Sequence, residues 1–172
     1  KELSGLAYRT DFDLSCHSKD SKQKLQYTDP ETNETFVPHV IEPSFGLDRT
    51  FLAILLSAYK EDEVNGEERV YLALDKKIAP HLVCVSPLLK NKPELVSRAE
   101  EIFGKLKAEF GRVVYDDNGN IGKRYRRQDE IGTPYCIVID FETLEGEGVT
   151  IRHRDTGEQE RVVEEKLIEF FK

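Results

Sequence analysis

The sequence predicts an α/β fold for residues 71–172, a small mixed sheet with helices packed over it, and three observations carry the prediction. Short apolar runs at 81–85, 135–140 and 148–154 have the length of strands. Between them, residues 93–110 place Leu95, Ala99, Ile102, Phe103, Leu106 and Phe110 on one helical face. A charged stretch at 60–69, with Asn65-Gly66 at its centre, separates this rhythm from what precedes it and marks a domain boundary at 70/71. Strands alternating with helices in this way are characteristic of an α/β layer domain.

The elements follow in chain order. Residues 8–14 alternate between apolar and polar side chains, as a half-buried strand does, and the Ser- and Lys-rich residues 15–24 read as a loop. Strands are expected at 25–28 and 35–41, joined by the turn composition Asp29-Pro30-Glu31-Thr32-Asn33. Pro43-Ser44 and Gly46 break the second of these. Residues 47–59 are apolar nearly all round, through Leu47, Phe51, Leu52, Ile54, Leu55, Leu56 and Tyr59, so a helix there needs burial on most sides. In the second part, Pro93 suits a first helical turn and Gly111 a helix stop. A strand at 112–115, a loop at 116–120 and a basic helix at 121–131 come next. The tail at 162–171 carries a helical face of Val163, Leu167, Ile168 and Phe171.

Composition narrows the function classes. Of 172 residues, 38% are apolar and 34% charged, a globular balance. The longest apolar run, 51–58, is far shorter than the ~20 residues of a membrane helix, so no membrane partner is expected. No methionine occurs anywhere, which reads Lys1 as an internal residue of a longer protein. Cys16, Cys84 and Cys136 form no CxxC pair, so neither a structural metal nor a disulfide framework is expected, and a reducing cytoplasm fits. The net charge of −8 is uneven. Residues 1–70 hold 8 basic and 14 acidic side chains, whereas 71–172 hold 17 and 19. Within the latter, Lys123, Arg124, Arg126 and Arg127 form a local basic patch, which can bind RNA through short-range contacts despite the acidic total.

One segment stands out for chemistry. Residues 37–49 read as a strand, a Pro-Ser-x-Gly turn and the start of a helix, with Arg49 in the first helical turn. A helix start attracts anions, and an arginine there can hold a phosphate in a forked contact. Glu42 and Ser44 could together receive a small ammonium group. From spacing alone, the favoured reading makes Glu42 and Arg49 a surface pair, Ser44 the start of a turn and Asp48 a helix cap.

The run Pro38-His39-Val40-Ile41-Glu42-Pro43-Ser44-Phe45-Gly46-Leu47-Asp48-Arg49 resembles the third signature motif of class II aminoacyl-tRNA synthetases, in its glycyl form. Residues 5–14, Gly-Leu-Ala-Tyr-Arg-Thr-Asp-Phe-Asp-Leu, resemble that family's segment bearing an arginine near bound glycine. Residues 119–125, 129–134 and 137–141 resemble its anticodon-binding domain. These resemblances lie in order and cover nearly the whole chain.

The resemblance implies that residues 1–70 are the last piece of an antiparallel-sheet class II catalytic domain and 71–172 an anticodon-binding domain. It implies a parent glycine–tRNA ligase that activates glycine with ATP, usually with Mg2+, and passes it to tRNA(Gly). Arg49 then grips ATP phosphate as the catalytic arginine, while Glu42 and Ser44, with Arg9, bind glycine. For the anticodon it implies Lys123, Arg124, Arg126 and Arg127 on phosphates, Tyr125 stacking on a base, and Arg152, His153 and Arg154 reaching base edges. The parent is expected to be a homodimer. The first two class II motifs are absent from the chain, so the fragment alone is expected to bind rather than catalyse. The competing expectation is a non-catalytic nucleic-acid-binding accessory module built on the same fold. Glu42, Ser44 and Arg49 argue against it, because such a module has no need of them.

Overall fold

The computed structural model describes residues 2–64 and 66–172. The chain divides into two units, Lys1–Ala53 and Ile54–Lys172. Helix α2 (Leu47–Ala58) contributes residues to each.

The first unit is built on a two-stranded antiparallel sheet of β1 (Ser4–Thr10) and β4 (Val40–Phe45). Pro43 lies inside β4 and opposite Leu6, rather than ending the strand as the sequence suggested. A strand paired on one side only can turn the nitrogen that lacks a proton away from the ladder. Residues 12–14 are not the end of the strand expected at 8–14, and residues 15–21 are not the loop expected from composition. They form helix α1 (Phe12–Ser21), entered at Asp11 and closed by Lys22 in the left-handed region, φ 60°. The helix buries none of its residues, so it carries no apolar stripe for the sequence to reveal. Short strands β2 (Tyr27–Thr28) and β3 (Thr35–Phe36) make a small hairpin. Its turn is held by Asp29, whose Oδ1 accepts from the Glu31 amide at 2.8 Å.

Helix α2 was expected to be buried on most sides. In this chain Leu47 and Leu56 are 82% and 70% exposed, and Phe51 and Leu52 are exposed as well.

The second unit is an α/β domain. Its mixed sheet runs in the order β11 (Gln159–Val162), β10 (Val149–His153), β9 (Tyr135–Ile139), β7 (Val83–Pro87), β8 (Val113–Tyr115). Strand β7 pairs in parallel with both β8 and β9, while β9, β10 and β11 are antiparallel. Successive side chains of a strand point to opposite faces, so each strand feeds two layers. Val83, Val85, Ile137, Ile139, Val149 and Ile151 form an apolar core with the Leu95, Ala99, Ile102 and Leu106 stripe of α3 (Pro93–Phe110) and with Leu167 and Phe171 of α6 (Leu167–Phe171). Full burial of each such Leu or Ile contributes about 1.5–3 kcal/mol. Cys84, Cys136 and Arg152, aligned across β7, β9 and β10, alternate with these core residues.

Helix α4 (Ile121–Ile131) buries no apolar stripe. Its buried residues are Arg124, Gln128 and Asp129, so its packing is polar. A one-turn helix, α5 (Phe141–Leu144), starts from a capping box made by Asp140 and Thr143. The charged stretch expected to be a solvated linker is a β-hairpin of β5 (Tyr59–Val64) and β6 (Glu67–Leu72), with Gly66 at φ +81°. Asn65, the other half of the turn signal, lies outside the described residues. The sequence boundary at 70/71 falls within β6, and the hairpin packs against α4 in the second unit.

Candidate functional sites

In the first unit the register of β1 and β4 places four small or polar residues across from one another. Gly5 faces Ser44 and Ala7 faces Glu42. An irregularity between Tyr8 and Thr10 follows, at Arg9. Arg9 reaches Glu42, Nε to Oε2 at 3.1 Å, and donates through Nη2 to Asp13 Oδ1 at 2.6 Å. The Arg9 hydrogen bond holds the Asp13 carboxyl below its ordinary range, and Asp13 in turn raises the guanidinium. Glu42 and Ser44, two apart on one strand, project from the same face. A Cβ added to Gly5 would lie 3.0 Å from Ser44 Oγ and 2.8 Å from Glu2 Oε1. The missing side chain is therefore what leaves that face open beside Ser44.

The β4–α2 joint is fixed by backbone. The Gly46 amide donates to Leu3 O at 3.0 Å, and Thr50 returns both its amide and its hydroxyl to Gly46 O at 2.9 Å. Arg49, exposed in the first turn of α2, donates through Nη1 to Glu2 O. The structure thus brings Arg9 and Glu42 into contact and puts Ser44 on the Glu42 face. Arg49 sits on the adjoining helix start, joined to the strand side through Glu2.

In the second unit the basic helix is sorted by burial. Lys123 and Arg126 are exposed and Arg127 is half-buried. Arg127 clasps Asp116, Nη2 to Oδ2 at 2.7 Å, and also donates to Asn118 O at 2.6 Å. Burial pushes the Asp116 carboxyl up, but Arg127, the Asn118 amide and Arg124 outweigh it and hold it below its usual range. Arg126 faces the hairpin, Nη2 lying 3.6 Å from Glu67 Oε2 and 3.3 Å from Glu68 O.

Arg124 is a correction to the expected surface set. It is 2% exposed and donates to Pro87 O, Asp117 O (3.0 Å) and Gly119 O (2.8 Å), stapling two loops to the helix. Arg154 is likewise buried, donating to Gly132 O and Asp155 Oδ1, each at 2.8 Å. Both guanidinium groups are committed to the scaffold and offer no open face to a phosphate or a base. His153 pairs with Glu160, 2.6 Å from Nε2 to Oε1.

Arg152 is buried too, but it floors a cleft. It chelates Asp129 through both Nη atoms, at 2.8 and 2.9 Å, and its Cζ lies 4.7 Å from the centroid of the Tyr125 ring. Asp129 also receives Arg69 Nη1 at 3.0 Å. Arg69, from β6, is chelated on its other edge by Asp62 across the hairpin, at 2.6 and 2.8 Å, and caps Arg154 O at 2.6 Å. The Arg69 hydrogen bond holds Asp62 below the usual carboxylate range, and burial raises the Tyr125 phenol.

Arg69, Asp62 and Asp129 were absent from the sequence-derived set. The signal for the first two was the Asn65-Gly66 dipeptide, which in a sequence marks a hairpin turn, and Asp62 and Arg69 are cross-strand partners in the hairpin.

The second unit is thus a mixed-sheet α/β binding domain, apolar on one side of its sheet and polar on the side where the basic helix α4 and a small cleft lie. Residues 82–172 match the family described as anticodon binding domain, and the chain belongs to that family. Along 170 residues it is 51% identical to the glycine–tRNA ligase of Chlorobaculum tepidum, covering 99% of this chain and 36% of that protein. It is 52% identical to that of Thermobifida fusca (94% and 36%) and 45% identical to that of Thermus thermophilus (100% and 39%). The chain spans little more than a third of the length of these relatives.

Proposed function

We propose that this chain is the C-terminal part of a glycyl-tRNA synthetase, and that its own contribution is to recognise the anticodon of tRNA(Gly) and to supply one edge of the glycine–ATP site. The observation that carries the reading is the continuity of the similarity. Glycine–tRNA ligases match across 99% of the chain, so both units are covered and not the anticodon family segment alone. The motif-bearing segment then lies within residues 1–70 and the RNA-facing domain within 71–172, the β5–β6 hairpin belonging to the same unit as the latter.

In the parent, Glu42 and Ser44 would receive the ammonium of glycine, with Arg9 holding Glu42 in place. Gly5 and Ala7, across the ladder, suit a ligand with no side chain, because the strand opposite adds almost no bulk to that face. Exclusion of larger amino acids is then steric, which is easier to enforce than counting methylenes in a roomy pocket. Arg49, exposed at a helix start, fits a phosphate of ATP. Neutralising phosphate charge and aligning the carboxylate for attack are positioning tasks that suit such a residue. In the parent, Mg2+ would be held largely through the ATP phosphates, as this cation usually is at nucleotide sites.

In the anticodon domain, Lys123, Arg126 and Arg127 would meet phosphates, while Tyr125 and Arg152 lie at a cleft beside them. No helix among the described residues is long and apolar enough to cross a membrane, and cytoplasmic residence and homodimerisation belong to the parent in this reading. Fluorescence anisotropy of tRNA(Gly) against a non-glycine tRNA, at about 150 mM salt where long-range attraction is screened, tests it. Preferential binding of tRNA(Gly) is the expected result. Equal affinity for the two would refute recognition by this chain.

A further inference from the structure

We propose that the β5–β6 hairpin is one wall of a nucleobase-binding cleft, so that base recognition in the RNA interface extends to residues outside the family-matched segment 82–172. This inference rests on the anticodon reading above and deepens it. The cleft has a volume of about 240 Å³ and lies between the hairpin, helix α4 and the β10–β11 turn. Typical small-ligand pockets begin at about 300 Å³, so this one has the scale of a single ring system.

Its chemistry suits a base more than a phosphate. Arg69 and Arg152 form the floor, but Asp62 and Asp129 already chelate them, so the floor presents little net charge. Glu67 at the rim would repel a phosphate. A nucleobase, in contrast, presents apolar faces with donors and acceptors at its edge. Val64 and Tyr125 supply apolar surface, Glu67 an acceptor, Arg126 a donor and Gln159 both.

The hairpin is a fixed wall rather than a loose arm. Arg69 shares Asp129 with Arg152 and caps Arg154 O, which ties β6 to α4 and to the end of β10. At the far side, Gly157 (φ +72°) packs so closely that a Cβ there would lie 2.9 Å from Val64 Cγ1. The turn can approach the hairpin only because this residue has no side chain.

Two substitutions test the cleft without touching its buried network. Glu67→Ala removes an exposed rim acceptor. Gly122→Leu fills the cleft from α4, where a Cβ would meet only Asn120 Oδ1, at an ordinary 3.7 Å. The readout is the ratio of Kd for tRNA(Gly) transcripts with changed anticodon bases to Kd for the native transcript, with melting temperature measured alongside. Loss of about tenfold or more of that ratio in either folded variant is expected, the scale of one base-edge contact. An unchanged ratio in Glu67→Ala and in every variant that folds overturns the cleft and leaves the anticodon reading standing. A native chain that shows no discrimination removes both.

Discussion

Asp129 on helix α4 is shared by two arginines from different strands, Arg152 through a two-point chelate at 2.8 and 2.9 Å and Arg69 at 3.0 Å. All three side chains are buried. Replacing Asp129 leaves two buried guanidinium groups short of an acceptor, which costs about 3–5 kcal/mol for a broken buried pair. Asp129→Ala is therefore expected to lower unfolding stability by that order in urea titration. A loss within about 0.5 kcal/mol, the range of an ordinary surface change, would show that the network contributes nothing to the fold.

The Asp140 carboxyl gives a pH signature. Burial alone would raise it, but Arg161, the Thr143 amide and hydroxyl, and Thr150 together hold it at about 2. The unfolded value is about 3.9. A depressed folded value means that the contribution is complete above about 3.9 and disappears as pH falls through about 2. Asp140→Asn should therefore destabilise by about 2–3 kcal/mol at neutral pH, and the difference from the native chain should shrink towards zero as pH falls to about 2 and below. A difference that persists undiminished at low pH would assign the effect to disturbed hydrogen-bond geometry around the side chain rather than to its charge, since asparagine keeps the Oδ1 acceptor of the helix cap.

Two glycines with similar backbones should respond differently to alanine. Gly146 (φ +91°) has open space around its missing Cβ, whereas at Gly148 (φ +84°) a Cβ would sit 2.3 Å from Val162 O, on backbone that cannot swing aside. Gly146→Ala should lose about 1–2 kcal/mol from the left-handed conformation. Gly148→Ala should lose clearly more, because β10 and β11 must separate. Thermal unfolding of the two variants side by side decides it.

Lys123 and Arg124 are neighbours with opposite expected effects. Lys123 is exposed and Arg124 is bound to three carbonyls in the interior. Lys123→Ala should weaken RNA binding equally for all sequences and reduce the salt dependence by about one counterion, with stability unchanged. Arg124→Ala should lower the melting temperature by several degrees. Anisotropy across a salt series together with thermal melts separates the two roles.

The apolar layer was legible because periodicity reports burial of apolar residues. The α3 stripe and the strands at β7, β9 and β10 follow directly from it. The other side of the sheet was not, because Arg124, Gln128, Asp129 and Arg152 are buried there and look like surface residues in a sequence. The same confusion turned the hairpin into a linker, since Asp62 and Arg69 signal solvent unless their cross-strand pairing is noticed. Helix α1 and strand β11 bury little and left no pattern. In the first unit, residues 38–49 revealed the strand–turn–helix joint, and the contact between Arg9 and Glu42 came into view only with the β1–β4 register.

The central claim is that this chain meets its RNA at the anticodon. Hydroxyl-radical footprinting of tRNA(Gly) with the whole chain tests it most directly. Protection confined to the anticodon stem and loop, and lost when anticodon bases are changed, is the predicted result. Protection of the acceptor stem alone, or uniform protection along the molecule, would contradict it.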